Sequence, residues 1–173
     1  MTVTDPADIS SPAARSPSDP CPCGTGQPYA RCCRPLHRGE AAADSPERLM
    51  RSRYSAFALG GLGHYLLDTW ERESRPALSA RALDDTDCRW EGLEIIATQT
   101  EATRGVVEFK AYHRPRLAPG APLDVLHERS RFRRRAGVWR YLDGVIDPPA
   151  AAVARNAPCP CGSGKKAKRC CHA

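Results

Sequence analysis

The stretch CPCGTGQPYARCC at residues 21–33 returns as CPCGSGKKAKRCC at residues 159–171. Both copies read C-x-C-x8-C-C. Together they hold Cys21, Cys23, Cys32, Cys33, Cys159, Cys161, Cys170 and Cys171, leaving only Cys88 elsewhere. Segments this short have no core of their own, so they need a staple to fold. The residues ahead of the first copy, MTVTDPADISSPAARSPSDP, contain no apolar export segment, and no run is long and apolar enough to span a bilayer. A reducing cytoplasm is therefore the expected compartment, and there such clusters bind metal more often than they form disulfides. The C-x-C pair sets two sulfurs on one turn, and the glycines after it let backbone N–H groups approach them. The C-C pair completes a tetrahedral four-sulfur site that suits zinc, with iron as the alternative. Two metal ions per chain are expected. His172, beside Cys171, and His37, four residues after Cys33, are the alternatives for the fourth ligand. Oxidation of the C-C pairs on metal loss is a further reading.

The formal charge of +6 assumes neutral thiols. A divalent metal on four thiolates carries −2, so two such sites offset most of that charge and weaken basicity as an argument for nucleic acid. The second copy carries Lys165, Lys166, Lys168 and Arg169 between its ligand pairs. This cluster reads either as a docking surface for ribosomal RNA or an acidic protein, or as compensation for the anionic site.

Composition divides the chain into a Pro/Ser/Ala-rich leader expected to be disordered (1–19), a first zinc knuckle (20–38), a central domain (42–147), a Pro/Ala-rich linker (148–157) and a second knuckle (158–173). The central domain opens on a helix. Ser45 reads as its N-cap, Pro46 as its first residue and Gly60-Gly61 as its stop. Met50, Arg53, Tyr54 and Phe57 share one face of it. A second helix is expected through HYLLDTW and a third near ALSARALDD. From residue 88 the period changes to two, which predicts strands over CRWEGLEIIATQT, TRGVVEFKAYH, VLHERSRFRRR and VWRYLDGVID, the last two joined at Ala136-Gly137. Helices followed by four antiparallel strands make an α+β domain with helices covering one sheet face. In the last hairpin, alternation puts Leu126, Glu128, Ser130 and Phe132 on one face, and the turn places Trp139, Tyr141 and Asp143 with them. The aromatics direct that face inward, so Glu128 and Asp143 need a buried partner, for which Arg53 is the candidate.

The two cysteine copies resemble the SEC-C motif at the C-terminus of the SecA translocase motor. The likeness is close in CPCGSGKKAKRCC, while CPCGTGQPYARCC has Gln27-Pro28 in place of the Lys-Lys pair. With LMRSRYSAF, ERSRF, GVWRYLDG and RNAPCPCGSGKKAKRCC in the same order, the chain from about residue 20 onward resembles the bacterial YchJ family. That resemblance implies a nuclear-transport-factor-2-like cone, a curved sheet wrapped by helices, flanked by SEC-C motifs. It implies zinc, and contacts with the SecB chaperone or ribosomes, for the motif. It implies no established activity for the family.

Two functions compete. One is a metal-stabilised interaction or adaptor protein that docks through its knuckles. The other is a cone that binds a small molecule or acts as an isomerase or dehydratase, with Arg53, Tyr54, Glu128, Trp139, Tyr141 and Asp143 as pocket candidates and His113 as a weaker one. Catalysis is the less favoured reading, because the chain has no Ser-His-Asp order, phosphate loop or dinucleotide fingerprint. His127, Arg129, Arg131, Arg133 and Arg140 offer an outer basic face for nucleic acid, although such runs are commonly solvated. A homodimer through the sheet is a further expectation.

Overall fold

The structure, a computed structural model, describes residues 18–84, 87–118 and 120–148. Most of the leader, the linker from residue 149 and the second cysteine copy, with Cys159, Cys161, Cys170, Cys171 and His172, lie outside the described residues. A 3-10 turn, Tyr29–Arg31, leads into α1 (Arg34–His37), α2 (Pro46–Leu59), α3 (Gly63–Asp68) and α4 (Ala80–Asp84). The strands β1 (Cys88–Thr100), β2 (Arg104–Pro115), β3 (Asp124–Arg135) and β4 (Val138–Ile146) follow.

α2 begins and ends where its residues dictate. The Ser45 hydroxyl accepts from the Arg48 N–H at 3.2 Å, Pro46 occupies the first turn with Glu47, and Gly60 stops the helix at a φ of 72°. Leu49, Met50, Arg53 and Tyr54 are buried, but so are Ser52, Ser55 and Ala56 on other sides of the helix. α2 is therefore enclosed by more than the sheet: the cysteine segment packs along one flank, and α3 and α4 along another. Small residues allow the close approach.

The strands form an antiparallel meander in the order β1-β2-β3-β4. Val107, Phe109, Ala111, Phe132 and Trp139 line its inner face and are almost fully buried against Leu49, Met50 and Tyr54. Each large side chain of this set contributes roughly 1.5–3 kcal/mol through burial. Two register irregularities between β1 and β2, at Trp90/Gly92 and Ile95/Ala97, bend the sheet around α2. The free edge of β4 is covered by the segment after α3: the Tyr141 N–H donates to Thr69 O at 2.9 Å, and the Glu71 N–H to Tyr141 O at 2.7 Å.

The β3–β4 hairpin turns on Ala136 and Gly137, both at positive φ (47° and 81°), as a two-residue turn requires. Its alternation fails at one place. Phe132 faces Tyr141, yet Arg131 faces Asp143, so Leu142 is an extra residue in β4. This bulge reverses the side-chain parity beyond it. Asp143, expected to point inward with Trp139 and Tyr141, instead lies on the outer face in an exposed ion pair with Arg131. The same reversal brings Gly144 inward opposite Ser130. A Cβ there would sit 2.0 Å from Glu128 Oε1, so the missing side chain is what gives the carboxylate its place.

Candidate metal centre and interior cavity

The first cysteine copy folds into a turn and a return. The Cys21 N–H donates to Gln27 O at 2.8 Å, Gly24 takes a φ of 79° that a side chain would oppose, and the 3-10 turn delivers Cys32 and Cys33. All four sulfurs lie within 4.8 Å of one another, and all four residues are buried. Cys23 and Cys32 are 3.4 Å apart, Cys32 and Cys33 3.9 Å. Four thiolates held at about 2.3 Å from a zinc ion stand about 3.8 Å apart, whereas a disulfide needs about 2.05 Å. None of the described cysteines is in a disulfide. The donor set and its spacing therefore fit a tetrahedral metal ion. The protons tell the same story: hydrogen bonds from Cys23 and Cys33 pull Cys21 down to about 3, while Cys21 and Cys23 push Cys33 up. Four thiols this close cannot all ionise unless a cation joins them.

α2 supplies the surroundings of this centre. Arg48 donates from Nη1 to Cys32 Sγ at 3.3 Å and from Nη2 to Cys32 O at 2.6 Å, and Arg51 donates to Cys23 O at 2.8 Å. Thr25 Oγ1 lies 3.3 and 3.2 Å from the sulfurs of Cys23 and Cys32, and Ser55 Oγ lies 3.7 Å from Cys21 Sγ. His37, the alternative ligand, is engaged elsewhere. Its Nε2 donates to Ser52 O at 2.9 Å, which leaves Nδ1 to accept from the Tyr29 hydroxyl at 2.9 Å. It clamps the cysteine segment to α2, and burial lowers its pKa. Neither Arg48 nor this clamp was visible in the spacing of the cysteines, because both belong to contacts between distant segments.

On the opposite side of α2 lies a cavity of about 230 Å³ between the helices and the sheet. Of the pocket candidates, Arg53, Tyr54, Glu128 and Tyr141 line it. Trp139 does not. Its indole donates to Asp44 O at 3.2 Å, and it borders a separate depression of about 410 Å³ beside α1 and α3. Asp143 is outside for the reason given above. His113 packs its ring 5.3 Å from Trp90, itself a wall of the cavity. Trp70, Phe57 and Leu83 complete walls that are almost wholly apolar. Trp70, expected at the end of the second helix, lies beyond α3, which stops at Asp68, and its ring packs edge-on against Tyr141 at 4.9 Å.

The expected direct contact between Arg53 and an acid is not made. Arg53 is 3 % exposed, and its Nη1 donates to Leu66 O and Thr69 Oγ1, both at 2.7 Å. Its guanidinium lies 5.0 Å from the Trp70 ring centre and 4.6 Å from that of Tyr141. No ion pair among the described residues includes it. Tyr141 stands between the charges: its ring faces Arg53, and its hydroxyl donates to Glu128 Oε1 at 3.0 Å. Ser130 donates to the same oxygen at 2.6 Å. Burial lowers Arg53 to about 10, which leaves it charged at neutral pH, and raises Tyr54 to about 12; burial, then Glu128, raises Tyr141. These three groups hold one protonation state around neutrality, which suits binding better than proton transfer.

The outer basic face is largely paired. Glu108 holds His127 at 2.9 Å and Arg129 at 2.8 Å, Asp143 holds Arg131, Glu73 holds Arg133 at 3.4 Å, and Arg140 donates to Asp68 O. No described helix is long and apolar enough to cross a membrane.

Comparison with known proteins agrees with this architecture. Residues 45–144 match the model of the YchJ middle NTF2-like domain, and residues 18–35 and 155–173 each match the SEC-C motif. A UPF0225 protein of Vibrio cholerae is 40 % identical over 154 residues, covering 87 % of this chain and 98 % of the relative. A UPF0225 protein of Geobacter sulfurreducens is 40 % identical over 162 residues, covering 88 % and 98 %. The solution structure of a SEC-C motif containing protein from Rhodopseudomonas palustris has a TM-score of 0.67 at 35 % identity, covering 74 % of this chain and 98 % of that one. The crystal structure of a SEC-C motif containing protein from Psychrobacter arcticus has a TM-score of 0.61 at 34 % identity, covering 88 % and 94 %.

Proposed function

The chain belongs to the YchJ family of UPF0225 proteins, an NTF2-like middle domain flanked by SEC-C motifs, and from that premise we propose that it is a zinc-stabilised, cytoplasmic small-molecule-binding protein. The observation that carries this reading is the cavity of about 230 Å³, walled by aromatic and aliphatic side chains with Arg53 and Glu128 at its polar end. Enclosed, mostly apolar pockets with a few convergent polar groups are where small molecules bind. Zinc, one ion per SEC-C motif, is the metal that four buried thiolates favour, and iron is the alternative on the same ligands. In the first motif Cys21, Cys23, Cys32 and Cys33 would hold the ion, which supplies folding energy rather than chemistry, because four protein ligands leave no open position.

Ala111, buried in the floor of the cavity, provides the test. Indole and toluene should raise the melting temperature of the natural chain, and should do so much less in Ala111→Leu, where the larger side chain fills the space. Equal shifts in the two proteins would refute cavity binding.

A second reading concerns docking, and one observation favours it: the SEC-C match at 155–173 carries Lys165, Lys166, Lys168 and Arg169. This copy would contact an acidic partner such as a SecB-type chaperone, or the ribosome. The first copy is already engaged with α2. Capture from lysate by the full chain but not by a chain lacking residues 157–173 supports docking; equal capture by both refutes it.

A further inference from the structure

Resting on the cavity reading above, we infer that the interior selects an uncharged, mainly apolar ligand of about ten non-hydrogen atoms. Size follows from volume. About 230 Å³ holds a single-ring aromatic with a short side chain, given that a liquid water takes about 30 Å³.

Charge selection follows from the pair that the cavity already contains. Arg53 and Glu128 both line it, and Tyr141 joins them, with its ring facing the guanidinium and its hydroxyl on the carboxylate. The interior thus holds one cation and one anion, each with its own partners. Nη1 of Arg53 is spent on Leu66 O and Thr69 Oγ1, and Oε1 of Glu128 is spent on Ser130 and Tyr141. A ligand carboxylate drawn to Arg53 would meet Glu128, and a ligand ammonium drawn to Glu128 would meet Arg53. Either would leave its hydration for walls that are otherwise apolar, in an interior whose two charges sum to zero and so offer neither ion a net attraction. A neutral ligand meets none of these penalties.

The indoles of the walls supply the readout. Trp70 and Trp90 line the cavity, and both Nε1–H groups are buried without a partner among the described residues. A ligand packed against either ring changes the magnetic surroundings of its indole N–H without having to bond to it.

Three probes of nearly equal shape separate the alternatives: 3-phenylpropanamide, 3-phenylpropanoate and 3-phenylpropylammonium. The chain contains three tryptophans, so the indole N–H region of a nitrogen-15 spectrum of the full, metal-loaded chain has an internal control. Trp70 and Trp90 should respond, while Trp139, whose indole donates to Asp44 O on the other side of the core, should not. The amide should shift Trp70 and Trp90 and bind at least tenfold more tightly than either ion at pH 7.5. If the carboxylate binds as well as the amide or better, the cavity reading stands, but Arg53 is an anion site and the neutral-ligand inference falls. If the ammonium does so, Glu128 is the anchor and the inference falls in the same way. If none of the three moves Trp70 or Trp90 at millimolar concentration, the cavity reading itself falls.

Discussion

Replacing Arg53 by methionine tests how the interior holds its charges. Burial lowers the guanidinium from 12.5 to about 10, so carrying the charge inside costs on the order of 3 kcal/mol. Methionine removes that cost. It also removes two hydrogen bonds at 2.7 Å, about 2 kcal/mol each from a charged donor, and two ring contacts at about 1 kcal/mol each. The Leu66 carbonyl is not stranded, because the Thr69 hydroxyl still reaches it at 3.2 Å. The expected net loss is about 2–3 kcal/mol. The deciding quantity is the coupling to Glu128→Gln. A direct buried pair would lose about 3–5 kcal/mol when one partner is removed and regain much of it when the second is neutralised. With Tyr141 between the charges, the coupling should stay below about 1 kcal/mol. Urea unfolding of the natural chain, both single variants and the double variant, followed by tryptophan fluorescence at pH 7.5, measures it. A coupling of about 2 kcal/mol or more would show that the two side chains meet directly in solution and would refute the reasoning.

Three further outcomes are expected. Elemental analysis should find two zinc ions per chain, falling to one when residues 149–173 are removed, and competition with a chromophoric chelator should show Arg48→Met weakening the first site by about 10–100-fold, as loss of a donor to a ligand sulfur does; a metal content near zero under reducing conditions sinks the assignment. Gly144→Ala places a methyl group against the Glu128 carboxylate and should cost about 1–3 kcal/mol, measurable by the same unfolding assay, with an unchanged midpoint counting against the close approach. Burial keeps the folded pKa of His37 below its ordinary 6.5, so below pH 6.5 the unfolded chain takes up a proton that the folded chain refuses and stability falls; the melting temperature of the natural chain should therefore drop more steeply from pH 7 to 5.5 than that of His37→Gln, and parallel slopes would exclude His37 as the cause.

Local chemistry settled much of this protein before any tertiary contact is considered. Ser45, Pro46 and Gly60 mark the ends of α2 because caps and stops act within one helical turn. The alternation over residues 88–100 and the Ala136-Gly137 turn mark strands and hairpin, because side-chain parity and turn geometry are properties of adjacent residues. The four cysteines converge because C-x-C and C-C each place two sulfurs together, leaving one reversal of the chain to join them. What the sequence could not disclose is whatever depends on the meeting of distant segments. One extra residue at Leu142 reverses the parity of β4 and carries Asp143 to the outer face, and nothing in the local pattern marks where a bulge falls. Arg53 does share a face with Met50, Tyr54 and Phe57, but its partners are set by the end of α3 and by a segment laid on the edge of β4. The enclosure of α2 between the four-cysteine cluster and a cavity likewise arises only in three dimensions, where Ser52 and Ser55, unremarkable in sequence, become the surface on which the cysteine segment closes.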